Sequence, residues 1–439
     1  MKLAEFDILK QAIQQQVAEG VRSGRYKMDH IPTVQFELGY KFEFENGQIK
    51  NLPKQTSPTT DAVWGIKAQF ILQADVETKF KELFDENKYL TKELCNAILE
   101  GDESRINYFR DVLQRKETGE TLYTAAETFL CGVGIDVKEF SFVAGDATIE
   151  LKRLSYQEVI DKAAEGEIWF RMQELNGFHC RIKIPFKDRQ SQSEVQQELR
   201  IFEWIVSLLG NGIVRSERVN FYDEDRLGGA GASMSPKKMS RFYYCLTEHR
   251  LNLIAKHYML LRSSIKKASF LEGPTNPAQV AWERYSDAIY YETSQKQISA
   301  AIMGLEALYT RKGPELSYSL SMRTNVFLKI LGKKDDVREH LKIGYDIRSQ
   351  YAHGKMESEK TKKKVLKISK TESQFASEVI SMLRVSILSS LLLEFGHSSN
   401  QSEKFQNDLD NIMAHDRETL FNLLARQELK DVRALISTK

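Results

Sequence analysis

Tyr345-Asp346-Ile347-Arg348-Ser349-Gln350-Tyr351-Ala352-His353-Gly354 sets an arginine five positions ahead of a histidine, with a glycine straight after. A guanidinium is a permanent charge shaped for phosphate oxygens, and an imidazole exchanges its proton near neutral pH. On a straight helix, positions five apart lie about 140° from one another, whereas four apart leave only about 40°. Periodicity alone therefore does not put Arg348 and His353 on one face. Gly354 changes this, because a glycine after a periodic segment usually ends a helix in the left-handed conformation. His353 is expected in the final turn or at the cap, where its ring can swing and the long arginine covers the rest. The negative end of the helix favours an imidazolium there by roughly 0.3–2 kcal/mol.

Around this stretch the chain reads as almost continuous helix, about 277–312, 316–331, 335–353, 373–396 and 402–436. Leu271-Glu272-Gly273-Pro274-Thr275-Asn276-Pro277 breaks the pattern upstream, and the main domain boundary is expected there. The fold class expected is an α+β N-terminal region with an antiparallel sheet, followed by an all-α helical bundle. The first covers 1–270, with room for two subdomains, and the second covers 276–439 with a C-terminal helix. Within the first, residues 4–22 step through Phe6, Leu9, Ile13, Val17 and Val21 as an amphipathic helix. Val34, Phe36, Leu38, Tyr40, Phe42 and Phe44 alternate as a half-buried strand ahead of an Asn46-Gly47 turn. Residues 75–116 read as helical and 194–209 as a helix. Strands are expected at 147–151, 168–170, 180–184, 214–222 and 242–246. A further helix is expected over 249–268. Gly228-Gly229-Ala230-Gly231-Ala232-Ser233 lacks the Gly-Lys-Ser/Thr ending of a phosphate loop and reads as an exposed connection between two strands.

Composition narrows the classes. Apolar residues at 41% and charged residues at 28% are ordinary for a globular protein, and a net charge of +2 requires any basic surface to be local. The apolar run around Val385 to Phe395 is broken by serines and is short for a bilayer. The first residues carry early acids and no apolar signal core, so a cytoplasmic protein with no membrane partner is expected. Cys95, Cys131, Cys180 and Cys245 form no C-x-x-C pair and read as reduced thiols. The histidines show no zinc spacing, His179-Cys180 included, so no metal and no cofactor are expected.

Three segments in order carry a resemblance: Trp282-Glu283-Arg284-Tyr285 through Ala301-Ile302-Met303-Gly304-Leu305-Glu306-Ala307-Leu308-Tyr309, then Ser321-Met322-Arg323, then Arg-Ser-x-x-x-His-Gly at 348–354. With the helix beginning near Leu383, they resemble the Apea-like branch of the HEPN family over about 276–396, a little over a quarter of the chain. The resemblance implies a helical bundle that often works as a dimer or higher even-numbered oligomer. It also implies a metal-independent endoribonuclease serving as a toxin or antiviral, abortive-infection effector, with RNA as substrate and a protein or phage-derived trigger. Its products would end in 2′,3′-cyclic phosphate and 5′-hydroxyl. Arg348 and His353 match the catalytic pair, and Ser349 matches a supporting polar position. Glu306 and Arg323 match the family pattern and are expected to form a structural ion pair between packed helices.

Tyr351 could stack on a base or pack in a dimer seam. Lys355, Lys360, Lys362, Lys363 and Lys364 follow the motif closely, with Lys367 and Lys370 behind them. They read equally as a solvated loop and as an electropositive rim for an RNA backbone. One arginine–histidine set cannot easily supply both an acid and a base, whereas two sets across a two-fold axis can, so a composite site in a homodimer is expected. On spacing alone, Arg348 could instead salt-bridge within the bundle while His353 merely ends the helix. Two other functions stay open: a non-catalytic dimerising module that binds RNA or a partner, and a helper of a nucleotide transferase.

Overall fold

The computed structural model describes residues 2–25, 44–45, 48–49, 66–79, 81, 88–131, 133–155, 178–187, 191–210, 212–224, 228–233, 244–268, 276–310, 316–355 and 358–437. The chain is mostly helical with a small antiparallel sheet in its N-terminal half. It divides into two compact units, Met1–Tyr123 with Tyr222–Gly229, and Thr124–Phe221 with Ala230–Lys439. Compactness therefore changes at Tyr123 rather than near residue 271. One apolar core runs unbroken from Ala126 to Leu435, so helices on both sides of the proline–glycine segment share an interior.

The first unit holds α1 (Leu3–Arg22), α2 (Ile66–Lys79), α3 (Lys88–Glu100) and α4 (Glu103–Thr118). Phe6, Leu9 and Ile13 are buried with Leu72, Leu94, Phe109 and Val112, as the stepping of residues 4–22 predicts. The helical stretch expected over 75–116 is interrupted. Gly101 takes φ +69° and the Asp102 side chain accepts from the Arg105 N–H, which restarts the helix. β1 (Phe44–Glu45) and β2 (Gln48–Ile49) pair antiparallel on either side of Asn46-Gly47. Of the strand expected over Val34 to Phe44 only Phe44 falls among the described residues, and the strand expected at 168–170 lies outside them.

The second unit is built on a sheet of β3 (Tyr123–Cys131), β5 (Glu139–Ala144), β6 (Ala147–Lys152), β7 (Phe178–Pro185), β8 (Arg215–Asp223) and β9 (Gly228–Ser233), in the order β5-β6-β7-β3-β8-β9. β5, β6 and β7 pair antiparallel, with Ile149 opposite Ile182. β4 (Val133–Ile135) and β10 (Tyr244–Leu246) form a separate parallel pair. The glycine-rich 228–233 segment is thus a strand of the sheet, a correction to its reading as a connection. β9 stands at the edge of that sheet.

Along β7, Phe178, Cys180, Ile182 and Ile184 are buried, whereas His179, Arg181 and Lys183 sit on the other face. The buried face meets α5 (Ser191–Leu209), which packs on α6 (Glu248–Lys267). Glu198 of α5 is buried and accepts from Tyr258 Oη and Arg262 Nε of α6, each at 2.8 Å. A buried carboxylate is tolerated when its lone pairs are filled in this way.

The helices that follow are α7 (Pro277–Tyr290), α8 (Ser294–Tyr309), α9 (Leu316–Ile330), α10 (Arg338–Ala352), α11 (Glu359–Ile368), α12 (Glu372–Leu392), α13 (Ser399–Met413), α14 (Arg417–Ala425) and α15 (Gln427–Ser437). The single helix expected over 277–312 is two. Tyr291 is extended and Thr293 caps α8 by accepting from the Lys296 N–H. The stretch 402–436 is likewise three helices, with His415 at φ +68° before the capping Asp416. α8 is central, packed by α7, α10 and α12. Two glycines allow this: a Cβ on Gly304 would lie 2.7 Å from Leu383 Cδ2, and one on Gly344 would lie 2.8 Å from Ile302 Cδ1. By length and composition α12 could cross a membrane, yet 72% of its apolar window is buried within the protein.

Candidate active site

α10 carries the Arg348–His353 segment, and it ends where the glycine reading predicts. His353 is the C-cap, Gly354 has φ +70°, and the Lys355 N–H reaches back to the Gln350 carbonyl at 2.9 Å. This is the left-handed closure in which an orphan carbonyl of the last turn is satisfied. The turn is also fastened to α8, because Gln295 Nε2 donates to the Lys355 carbonyl at 3.1 Å. His353 and Tyr351 are exposed, and Ser349 is half-buried with its carbonyl accepting the His353 N–H at 3.2 Å. Tyr351 lies near Tyr291, whose hydroxyl burial pushes up, with Asp287 and Tyr351 adding to the shift.

Arg348 points toward α8. Its Nη2 donates to Glu306 Oε2 at 3.0 Å, and its guanidinium carbon lies 5.9 Å from the Tyr345 ring centre. The pair is not closed on itself: Arg348 Nε and Glu306 Oε1 are both buried without a hydrogen-bond partner. Burial pushes the Glu306 carboxyl above the usual range, and Arg348 only partly offsets this. Arg348 keeps 30% of its side-chain surface. No hydrogen bond joins Arg348 to His353. They are brought to the same end of α10, one toward α8 and one into solvent.

The expected Glu306–Arg323 pair does not form. Arg323, buried on α9, donates to both carboxylate oxygens of Asp410 on α13, at 2.8 and 2.7 Å, and to the Tyr309 carbonyl at 2.9 Å. Glu306 belongs to Arg348 instead. Asp410 is the partner that sequence reasoning missed, since a contact between α9 and α13 has no signal in local spacing. Arg323 remains structural in character, tying three helices.

The lysine stretch also differs from a loop. Ser358 caps α11, Thr361 and Val365 are buried, and the helix lies along α10 and α12. Lys362 pairs with Glu359 at 3.4 Å and Lys364 with Asp346 at 3.3 Å. Lys355, Lys360, Lys363, Lys367 and Lys370 are exposed. The rim is therefore a helix face, and two of its expected members are already engaged.

Sequence reasoning also missed a concavity on the polar face of the sheet. A cavity of about 480 Å³ is lined by Glu127, Phe140, Glu150, Lys152, His179 and Arg181. Arg181 lies 2.9 Å from Glu127, and His179 lies 3.8 Å from the same carboxylate. Among the described residues no group of three or more His, Cys, Asp or Glu side chains could hold a metal ion. Cys95 and Cys180 are buried, and burial pushes the Cys95 thiol up to about 12. No family model, curated protein or solved structure matches the chain.

Proposed function

We propose that this chain is a cytoplasmic endoribonuclease of HEPN type that needs no metal and acts as a toxin or antiviral effector from a composite site in a homodimer. The observation that supports this most is the end of α10. The helix closes on Gly354, with His353 exposed at the cap and Arg348 retained one and a half turns earlier with part of its surface accessible.

In the reaction, His353 of one subunit takes the proton of a ribose 2′-hydroxyl. The 2′-oxygen bonds to phosphorus, the P–O5′ bond breaks, and His353 of the partner subunit protonates the departing 5′-oxygen. Arg348 stabilises the charge that builds on the non-bridging oxygens. It leaves a 2′,3′-cyclic phosphate and a 5′-hydroxyl, with the proton count balanced.

Glu306 keeps the arginine in place while it waits for a phosphate. A guanidinium held by a single hydrogen bond retains donors for a second anion. The test is cleavage of RNA by the full chain carrying Arg348→Ala or His353→Ala. Each substitution is expected to lower the rate by about 100-fold or more. A second reading is favoured by the arginine already having its carboxylate: a dimerising module that holds RNA and cuts nothing. Salt-sensitive RNA retention without products would select it.

A further inference from the structure

α10 is gripped on two sides. Arg348 faces α8 through Glu306, whereas Asp346 and Gln350, one helical turn apart, face α11. The second contact is specific. Gln350 Oε1 accepts the Ser358 N–H at 2.9 Å, and Gln350 Nε2 donates to Thr361 Oγ1 at 3.0 Å. Ser358 and Thr361 form the N-terminal cap of α11, with the Thr361 N–H on Ser358 Oγ at 3.2 Å. One side-chain amide thus closes the cap of the lysine helix, and it sits between Arg348 and His353 in the chain. One helical turn along the seam, Lys364 on Asp346 sets the direction of α11.

With the Thr361–Val365 side of α11 buried, its opposite side faces solvent. Lys360, Lys363 and Lys367 lie there at i, i+3 and i+7, within an arc of about 60° and over about 10 Å of helix. No described carboxylate pairs with any of the three. A row of unpaired ammonium groups on a fixed helix suits a chain of phosphates. A membrane surface fits less well, because the apolar side chains of α11 are turned into the protein, with Leu366 as the exposed exception, and leave no face to insert.

We propose that Gln350 is a positioning residue that fixes the Lys360–Lys363–Lys367 face of α11 beside the end of α10, as a track leading an RNA backbone to His353. The inference rests on the ribonuclease reading of Arg348 and His353. It divides the lysines into those that hold α11 in place, Lys364 foremost, and those that meet substrate.

The test uses the full chain and two probes, a 2′-O-methyl oligoribonucleotide that offers no nucleophile and its cleavable counterpart. Affinity for the first is measured against salt. Three phosphate contacts give a slope of about 2 in log Kd against log salt for a single strand, so Lys360→Gln/Lys363→Gln/Lys367→Gln should lower the slope by about 2. Lys362→Gln should lower it by less. Gln350→Ala keeps the three charges, so the slope should persist while kcat/KM on the cleavable strand falls about 10-fold or more through misplacement. An unchanged slope in the triple variant overturns the track, as does lysine-dependent binding to phosphatidylserine vesicles without RNA binding. An unchanged kcat/KM in Gln350→Ala overturns the positioning role. If the wild type binds RNA with the full slope and releases no products, the ribonuclease reading fails, and the positioning role with it, while the track stands.

Discussion

Glu306 and Arg348 each leave one polar atom buried without a partner, and this sets how the pair responds to mutation and pH. Arg348→Ala strands a carboxylate already raised by burial and is expected to cost about 1–3 kcal/mol of stability. His353→Ala, at an exposed position, should stay within about 0.5 kcal/mol. Urea unfolding of the two variants separates a lost fold from lost chemistry. Because the folded-state pKa of Glu306 is raised, its contribution to stability is fully present below the ordinary carboxylate value and lost as pH rises through the raised one. Unfolding measured from about pH 7 down to about pH 4 should therefore show a stabilising term on acidification that Glu306→Gln removes. Gly354→Ala places a Cβ at φ +70° and should cost about 1 kcal/mol while shifting the His353 cap.

Elements were legible in the sequence where a local signal fixes them. Phe6, Leu9 and Ile13 give α1 its buried face, and Gly354 ends α10, because periodicity and left-handed glycine act over a few residues. Where packing decides, local signals fell short. α11 looks like a charged loop until α10 and α12 bury Thr361 and Val365, two positions too few to mark a helix amid so many lysines. The break at Tyr291 is small beside the helical pattern on either side. The Arg323–Asp410 pair joins helices far apart in the chain. Close approach of α8 and α12 at Gly304 has no periodic signature either, yet it makes a sharp expectation. Gly304→Val must displace Leu383 and Arg284, and should lower stability by about 1–3 kcal/mol, read as a lower urea midpoint at unchanged slope.

At the scale of the molecule, the central claim is that Arg348 and His353 act in duplicate. The continuous core from Ala126 to Leu435 makes the helical bundle and the sheet one folded unit, so activity should be lost with global unfolding of that unit rather than with fraying of α10. A composite site predicts that specific activity rises with protein concentration through a dimerisation range. It also predicts that an excess of His353→Ala chains mixed into the wild type lowers its activity, because a heterodimer keeps only one of the two histidines the reaction uses. The most direct measurement is RNA cleavage by purified wild type, Arg348→Ala and His353→Ala chains of matched fold, with the product ends identified. The wild type is expected to leave 2′,3′-cyclic phosphate and 5′-hydroxyl ends whether or not a chelator is present, and both variants are expected to leave none. Cleavage that persists in either variant, or that stops when metal is chelated, would contradict that expectation.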